Sequence, residues 1–215
     1  MKKTIFLQNI ILDGWAAVGY NGYISHRRVK MGARQEFEKE KLIIGVIYHD
    51  TAVYEAALAV LTERFGPVED MSEPYFFSKE YSTYYDEELG GEGIRQIISF
   101  RDTVDPSEQA AIKVFTNELE KSFDPDGVRK INLDPGLINH GRLLLSTTKQ
   151  TGFRIALSQG IYSELTLYWA RGAWQKLPWT YRDYQSERVQ SFITMVRKKY
   201  LDERRKSLLP KLRRK

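Results

Sequence analysis

The chain has 215 residues, 42% of them hydrophobic and 28% charged, with 13 tyrosines and no cysteine. That composition suits one globular domain with an aromatic core and excludes a disordered chain, a coiled coil and a collagen; the missing cysteine excludes disulfides, thiolate nucleophiles and Cys-held metal sites and fits a cytoplasmic protein. The net charge of +5 is uneven: residues 197–215 carry ten basic and two acidic side chains, whereas 42–196 carry 15 basic and 22 acidic.

Near the start, Lys2-Lys3 precedes the apolar groups Ile5-Phe6-Leu7 and Ile10-Ile11-Leu12. Gln8, Asn9 and Asp13 interrupt them and no cleavage pattern follows, so a signal peptide is not expected. No later run is long and apolar enough to cross a bilayer, and no membrane partner is expected. Residues 1–40 read as an N-terminal extension with Met31 as the expected natural start, 41–203 as a single domain, and 204–215 as a basic tail.

Leu42 to Tyr48 is an unbroken apolar run, the pattern of a central strand covered on both faces. Asp50 or Thr51 then caps a helix whose Val53, Ala57, Val60, Leu61 and Phe65 recur at helical spacing, and Gly66-Pro67 stops it. Tyr75-Phe76-Phe77 reads as a short strand, and Tyr81 to Gly91 as an aromatic and acidic loop. Arg95 to Arg101 is a second clear strand. Asp105-Pro106 opens a helix with Ala111, Ile112, Phe115, Leu119 and Phe123 on one face, and Asp124-Pro125-Asp126-Gly127 turns the chain. Val128 to Leu133 is a third strand, running into a turn at Asp134-Pro135-Gly136. Segments 153–157, 161–169 and 173–177, parted by turn residues, predict an antiparallel meander, and a last helix begins near Ser186.

The expected fold is therefore α+β: a mainly antiparallel sheet with helices on one face, a ferredoxin-like core from the strand–helix–strand–strand–helix–strand order of 42–133, then a β-meander and a terminal helix.

Strong catalytic motifs are missing. There is no phosphate-cradling P-loop, no G-x-S-x-G elbow, and Gly90-Gly91-Glu92-Gly93 precedes a strand rather than a helix. His26, His49 and His140 are too scattered to suggest a metal site. Three weaker groups remain. Lys113 and Asn117 lie four apart on one helix face, fit either to meet an anion or to be solvated. Asp134 follows a strand at a turn, a common place for ligand groups and also ordinary turn chemistry. Ser146-Thr147-Thr148-Lys149 with Arg154 offers hydroxyls and cations to a phosphate or carboxylate, although Arg154 and Glu164 also suit a cross-strand ion pair. Leu177 to Tyr184 is an aromatic stretch, either a platform for a planar ligand or a lid on the core.

Five separated segments together resemble the uncharacterised prokaryotic family domain of unknown function 4416. They are residues 41–48, Ile112 to Glu120, Asn132 to Gly136, Gly160 to Leu167 and Leu177 to Tyr181. The resemblance spans 41–203 and implies a chain starting near Met31; it implies no catalytic residue. The family's Thr-Tyr-Pro reads Thr180-Tyr181-Arg182 here.

The expected function is binding of a small anionic ligand, a nucleotide or phosphorylated metabolite. Lys113, Lys149 and Arg154 would supply cations, Asn117 would orient, and Asp134 and Glu164 would be available for metal or proton work. The alternative is a non-enzymatic module that binds RNA or protein through the basic C-terminal helix and tail. No motif names a cofactor.

Overall fold

The computed structural model describes residues 34–124 and 127–212, without the side chains of 208–212. Most of the expected extension, His26 and the last three residues of the basic tail lie outside the described residues. The described residues from Glu36 onward form one compact unit.

Among the described residues, nine strands and five helices follow in the order β1 (Glu40–Tyr48), α1 (Thr51–Phe65), β2 (Val68–Met71), β3 (Tyr75–Phe76), α2 (Phe77–Glu80), α3 (Asp86–Leu89), β4 (Ile94–Val104), α4 (Gln109–Ser122), β5 (Ile131–Ile138), β6 (Arg142–Thr147), β7 (Ile155–Ala156), β8 (Tyr162–Ala170), β9 (Ala173–Lys176) and α5 (Glu187–Leu212). They build one sheet of order β2-β4-β1-β5-β6-β8-β7, with β3 beside β4 and β9 beside β8. Every pairing is antiparallel. The molecule is an α+β fold with a mainly antiparallel sheet; β4 runs between β1 and β2, and β3, α2 and α3 are inserted between β2 and β4 of the order expected over 42–133.

The helices cover both faces of the sheet, not one. All nine residues of β1 are buried. Leu42, Ile44 and Val46 pack with Tyr54, Ala57 and Leu61 of α1 and with Ile112 and Leu119 of α4. Ile43 and Ile47 face the other way, toward Val189, Phe192, Ile193 and Val196 of α5. A strand apolar on both sides must be covered on both, so α5 takes the face that α1 and α4 leave.

Local chemistry explains the ends of these elements. The Asp50 carboxylate accepts the Ala52 N–H at 2.8 Å and caps α1, and the Gly66 N–H closes it on Thr62 O. Asp105 caps a single 3-10 turn, Pro106–Glu108, which leads into α4. The second strand of the core is Val68–Met71, ahead of the segment expected, and Phe77 begins a short helix instead of ending a strand. The triple leucine 143–145 is strand β6.

The largest correction concerns Asp134-Pro135-Gly136, which is not a turn but the middle of β5. Gly45, Ile44 and Ile43 of β1 pair with these three residues. Local turn preference loses here to the ladder on β1. Gly136 is needed for a close approach: a Cβ there would sit 2.6 Å from the Leu144 carbonyl oxygen. Beyond Gly136 and its partner Leu145 the β5–β6 ladder stops. The two strands part, and Pro135, which has no N–H to leave unpaired, lies at the start of that gap.

Candidate functional site

The parting of β5 and β6 opens a cavity of about 320 Å³. On the β5 side the gap is sealed by α4. Lys113 Nζ donates to Leu133 O at 2.7 Å, and Glu120 Oε1 accepts the Leu133 N–H at 2.7 Å. These two side chains serve the backbone groups that an adjacent strand would otherwise take. Lys113 is thus buried, not solvated, and sits 3.8 Å from Glu120 and 3.9 Å from Asp134. Burial pushes the Glu120 carboxyl up, against the pull of Lys113.

Beneath lies Arg95 of β4, whose side chain is 5% exposed. Its Nη1 is 3.0 Å from Asp183, its Nη2 is 3.6 Å from Asp134, and Nη2 donates to Tyr184 Oη at 3.2 Å. Phe77 and Tyr184 present ring faces to the guanidinium. Gly45 makes room for it, since a Cβ there would lie 2.5 Å from Nη2. Burial opposes the Arg95 charge most strongly, but Asp183, Tyr184, Tyr75 and Asp134 together outweigh it and its pKa is raised. Asp183 itself stands on the 3-10 turn Asp183–Gln185, just before α5.

The facing wall is Leu145 to Lys149, with Glu164 of β8. Arg154 lies behind it and ties three parts together. Its Nε holds Glu164 Oε2 at 2.8 Å, Nη1 donates to Lys149 O at 2.7 Å, and Nη2 donates to Tyr181 Oη at 3.1 Å. Burial raises the Glu164 carboxyl despite this partner, and raises the Tyr181 hydroxyl too. The α2–α3 segment forms the roof, with Tyr84 and Tyr85 over the hollow and the Lys149 ammonium 5.0 Å from the Tyr84 ring centre.

Five of the six residues singled out from sequence, Lys113, Asn117, Asp134, Lys149 and Glu164, line this cavity. Arg154 orders the wall without lining it. Asn117 stands where the cavity adjoins a second hollow of about 550 Å³, which shares Asn117, Glu120, Arg129 and Thr148 with it. Sequence reasoning missed Arg95, Asp183 and Glu120. Arg95 stands at the start of an apolar strand, where a cation reads as an exposed position. The signal that it is buried, Gly45 on the neighbouring strand, has meaning only once the register is known.

The charged groups are mostly matched. Arg95, Lys113 and Arg129 each have a carboxylate within 4.0 Å. Lys149 alone among the lining cations has none among the described residues. Ser146 Oγ and Glu164 Oε1 are buried in the same wall without a hydrogen-bond partner among the described residues. No group of three or more His, Asp or Glu side chains suited to a metal ion occurs among the described residues. None of their helices is long and apolar enough to cross a membrane.

The family model for Domain of unknown function (DUF4416) matches residues 38–200. The chain belongs to this family. Every residue that lines the cavity falls inside the DUF4416 match. No curated protein and no solved structure matches the chain.

The basic C-terminal helix is engaged with the fold along much of its length. Lys199 bonds Asp70 at 2.6 Å, Arg204 bonds Glu38 at 2.7 Å, and Arg197 lies 3.9 Å over the Trp169 ring.

Proposed function

We propose that this chain is a cytoplasmic binding protein for a small anionic metabolite, a nucleotide or phosphorylated compound, held in the cavity between β5 and β6. The observation that carries this reading is the wall 146–149. There Lys149, an ammonium with no carboxylate partner among the described residues, and Ser146, a hydroxyl with no partner among them, line a hollow whose other cations are already matched. An anion is the chemistry that such a set leaves unfilled. The volume of about 320 Å³ falls at the lower end of small-molecule sites.

In this reading Lys149 contacts the anion, with Thr147 and Thr148 beside it. Tyr84 and Tyr85 flank the rest of the molecule, and Asn117 orients it at the entrance. Lys113, Asp134 and Arg95 form a prearranged floor that needs no movement on binding. The cysteine-free composition supports cytoplasmic placement.

The test is the melting temperature of the full chain against a panel of nucleotides, sugar phosphates and phenyl phosphate. A ligand of the native state raises it. The expected result is a rise with at least one of them that is lost in Lys149→Ala, whose side chain is exposed and carries no core packing. A panel without any rise, or a rise kept in full by the variant, overturns the reading.

A further inference from the structure

Glu164 enters the cavity wall from β8, directly opposite Leu145 of β6. Its side chain is 2% exposed, and its two oxygens are treated differently. Oε2 takes the Arg154 Nε–H, whereas Oε1 is buried and has no hydrogen-bond partner. The Thr166 hydroxyl is close by and favours the ionised carboxyl as a donor, but its bond within ordinary geometry is to the Glu164 backbone carbonyl, at 3.4 Å, and it leaves Oε1 without a direct donor. A buried carboxylate oxygen ordinarily has a donor, because water no longer supplies one.

The carboxylate is not free to turn and find one. Arg154 grips Oε2 and is itself fixed by Lys149 O and Tyr181 Oη. Oε1 is therefore a buried acceptor held in a set direction, on a residue that lines a ligand-sized hollow. Burial also pushes the Glu164 carboxyl above its ordinary range, against the pull of Arg154 and the Thr166 hydroxyl. Asp134, across the cavity, pushes it the same way.

We propose that Glu164 Oε1 accepts a hydrogen bond from the bound ligand, so that the cavity selects anions bearing an N–H or O–H donor over the same anion without one. This rests on the anion reading above and narrows it. An anion offering only acceptors would leave Oε1 unpaired and bring one more negative charge toward Glu164. A donor on the ligand removes the first penalty and offsets the second. The substrate class is thus an amino- or hydroxy-bearing phosphate or carboxylate, with its charge at Lys149 and its donor at Glu164.

The experiment measures binding of phenyl phosphate and of its ortho, meta and para amino derivatives to the full chain by calorimetry at neutral pH. At least one amino isomer is expected to bind about tenfold more tightly than phenyl phosphate. In Glu164→Gln the Arg154 bond keeps the amide oxygen and an NH2 replaces Oε1. That variant has lost a negative charge and is expected to bind both esters more tightly, with the ratio between them falling to about one. A second measurement needs no variant: the carbon-13 titration of the Glu164 carboxyl in the wild type. The preferred isomer lowers its pKa by donating to the ionised form, and phenyl phosphate raises it.

Equal binding of all four esters, a preference that survives in Glu164→Gln, or a titration that the tighter isomer leaves unmoved overturns the donor assignment while the anion reading stands. If none of the esters binds, the anion reading itself has failed and this inference falls with it.

Discussion

Arg95 Nη1 lies 3.0 Å from Asp183 Oδ2, both side chains nearly sealed from water, joining a central strand to the turn that launches the last helix. Tyr75 Oη reaches the same carboxylate oxygen at 3.3 Å. Removing one partner of such a pair strands the other in an apolar setting. Asp183→Ala is expected to cost about 3 kcal/mol or more of stability in urea unfolding. A loss near zero would show that Asp134 and Tyr184 alone can hold the guanidinium.

Gly136→Ala tests the close approach that ends the β5–β6 ladder. The added Cβ meets a backbone carbonyl oxygen, which cannot swing aside as a side chain does. Stability should fall by about 1–3 kcal/mol, measured by thermal or urea melts. An unchanged melt would mean that β5 and β6 can separate there at no cost.

Glu164→Gln makes a prediction in pH that is independent of any ligand. Burial raises the folded-state pKa above the ordinary 4.5. The folded protein therefore holds this proton more tightly than the unfolded chain. The stability from it is complete below about 4.5 and is lost as pH rises through the folded value. The variant cannot ionise, so its stability relative to the wild type should climb over that window and then level off. Urea midpoints taken across the acid range give the difference directly, and a flat or falling difference contradicts the assignment. Arg154, Asp134 and Tyr181 are the charged and titratable neighbours that set the wild-type curve.

Arg154→Lys keeps the charge and loses the fork. One ammonium cannot serve the Glu164 carboxylate, the Lys149 carbonyl and the Tyr181 hydroxyl together. The variant should lose roughly 1.5 kcal/mol or more of stability. Its affinity for any phosphate ester that stabilises the wild type should fall as well, because segment 146–149 loses its brace. Wild-type behaviour in both measurements would show that Arg154 does not order the wall.

What the sequence made legible was whatever local pattern could carry. The apolar run 42–48, the Asp50 and Asp105 caps and the turns around 158–160 and 171–172 were readable because each signal sits within a few residues of its effect. The Arg154–Glu164 pair was readable as a hairpin contact for the same reason. Asp134-Pro135-Gly136 misled because its residues are good turn formers, whereas their real partners are the neighbouring strands. Lys113 looked like a surface cation, since nothing nearby in sequence shows that it would bond the Leu133 carbonyl. The cavity itself was invisible, because it exists only where one ladder stops and a helix supplies the missing backbone partners.

That interruption has a mechanical consequence. The sheet otherwise insulates its two cores from each other, one under α1 and α4 and the other under α5. Where β5 and β6 diverge, a guest molecule would press on Lys113 and Glu120 from one core and on Arg95 and Asp183 from the other. Loading the hollow should therefore slow hydrogen exchange in α4 and in the start of α5 together, as a rivet stiffens two plates at a single hole.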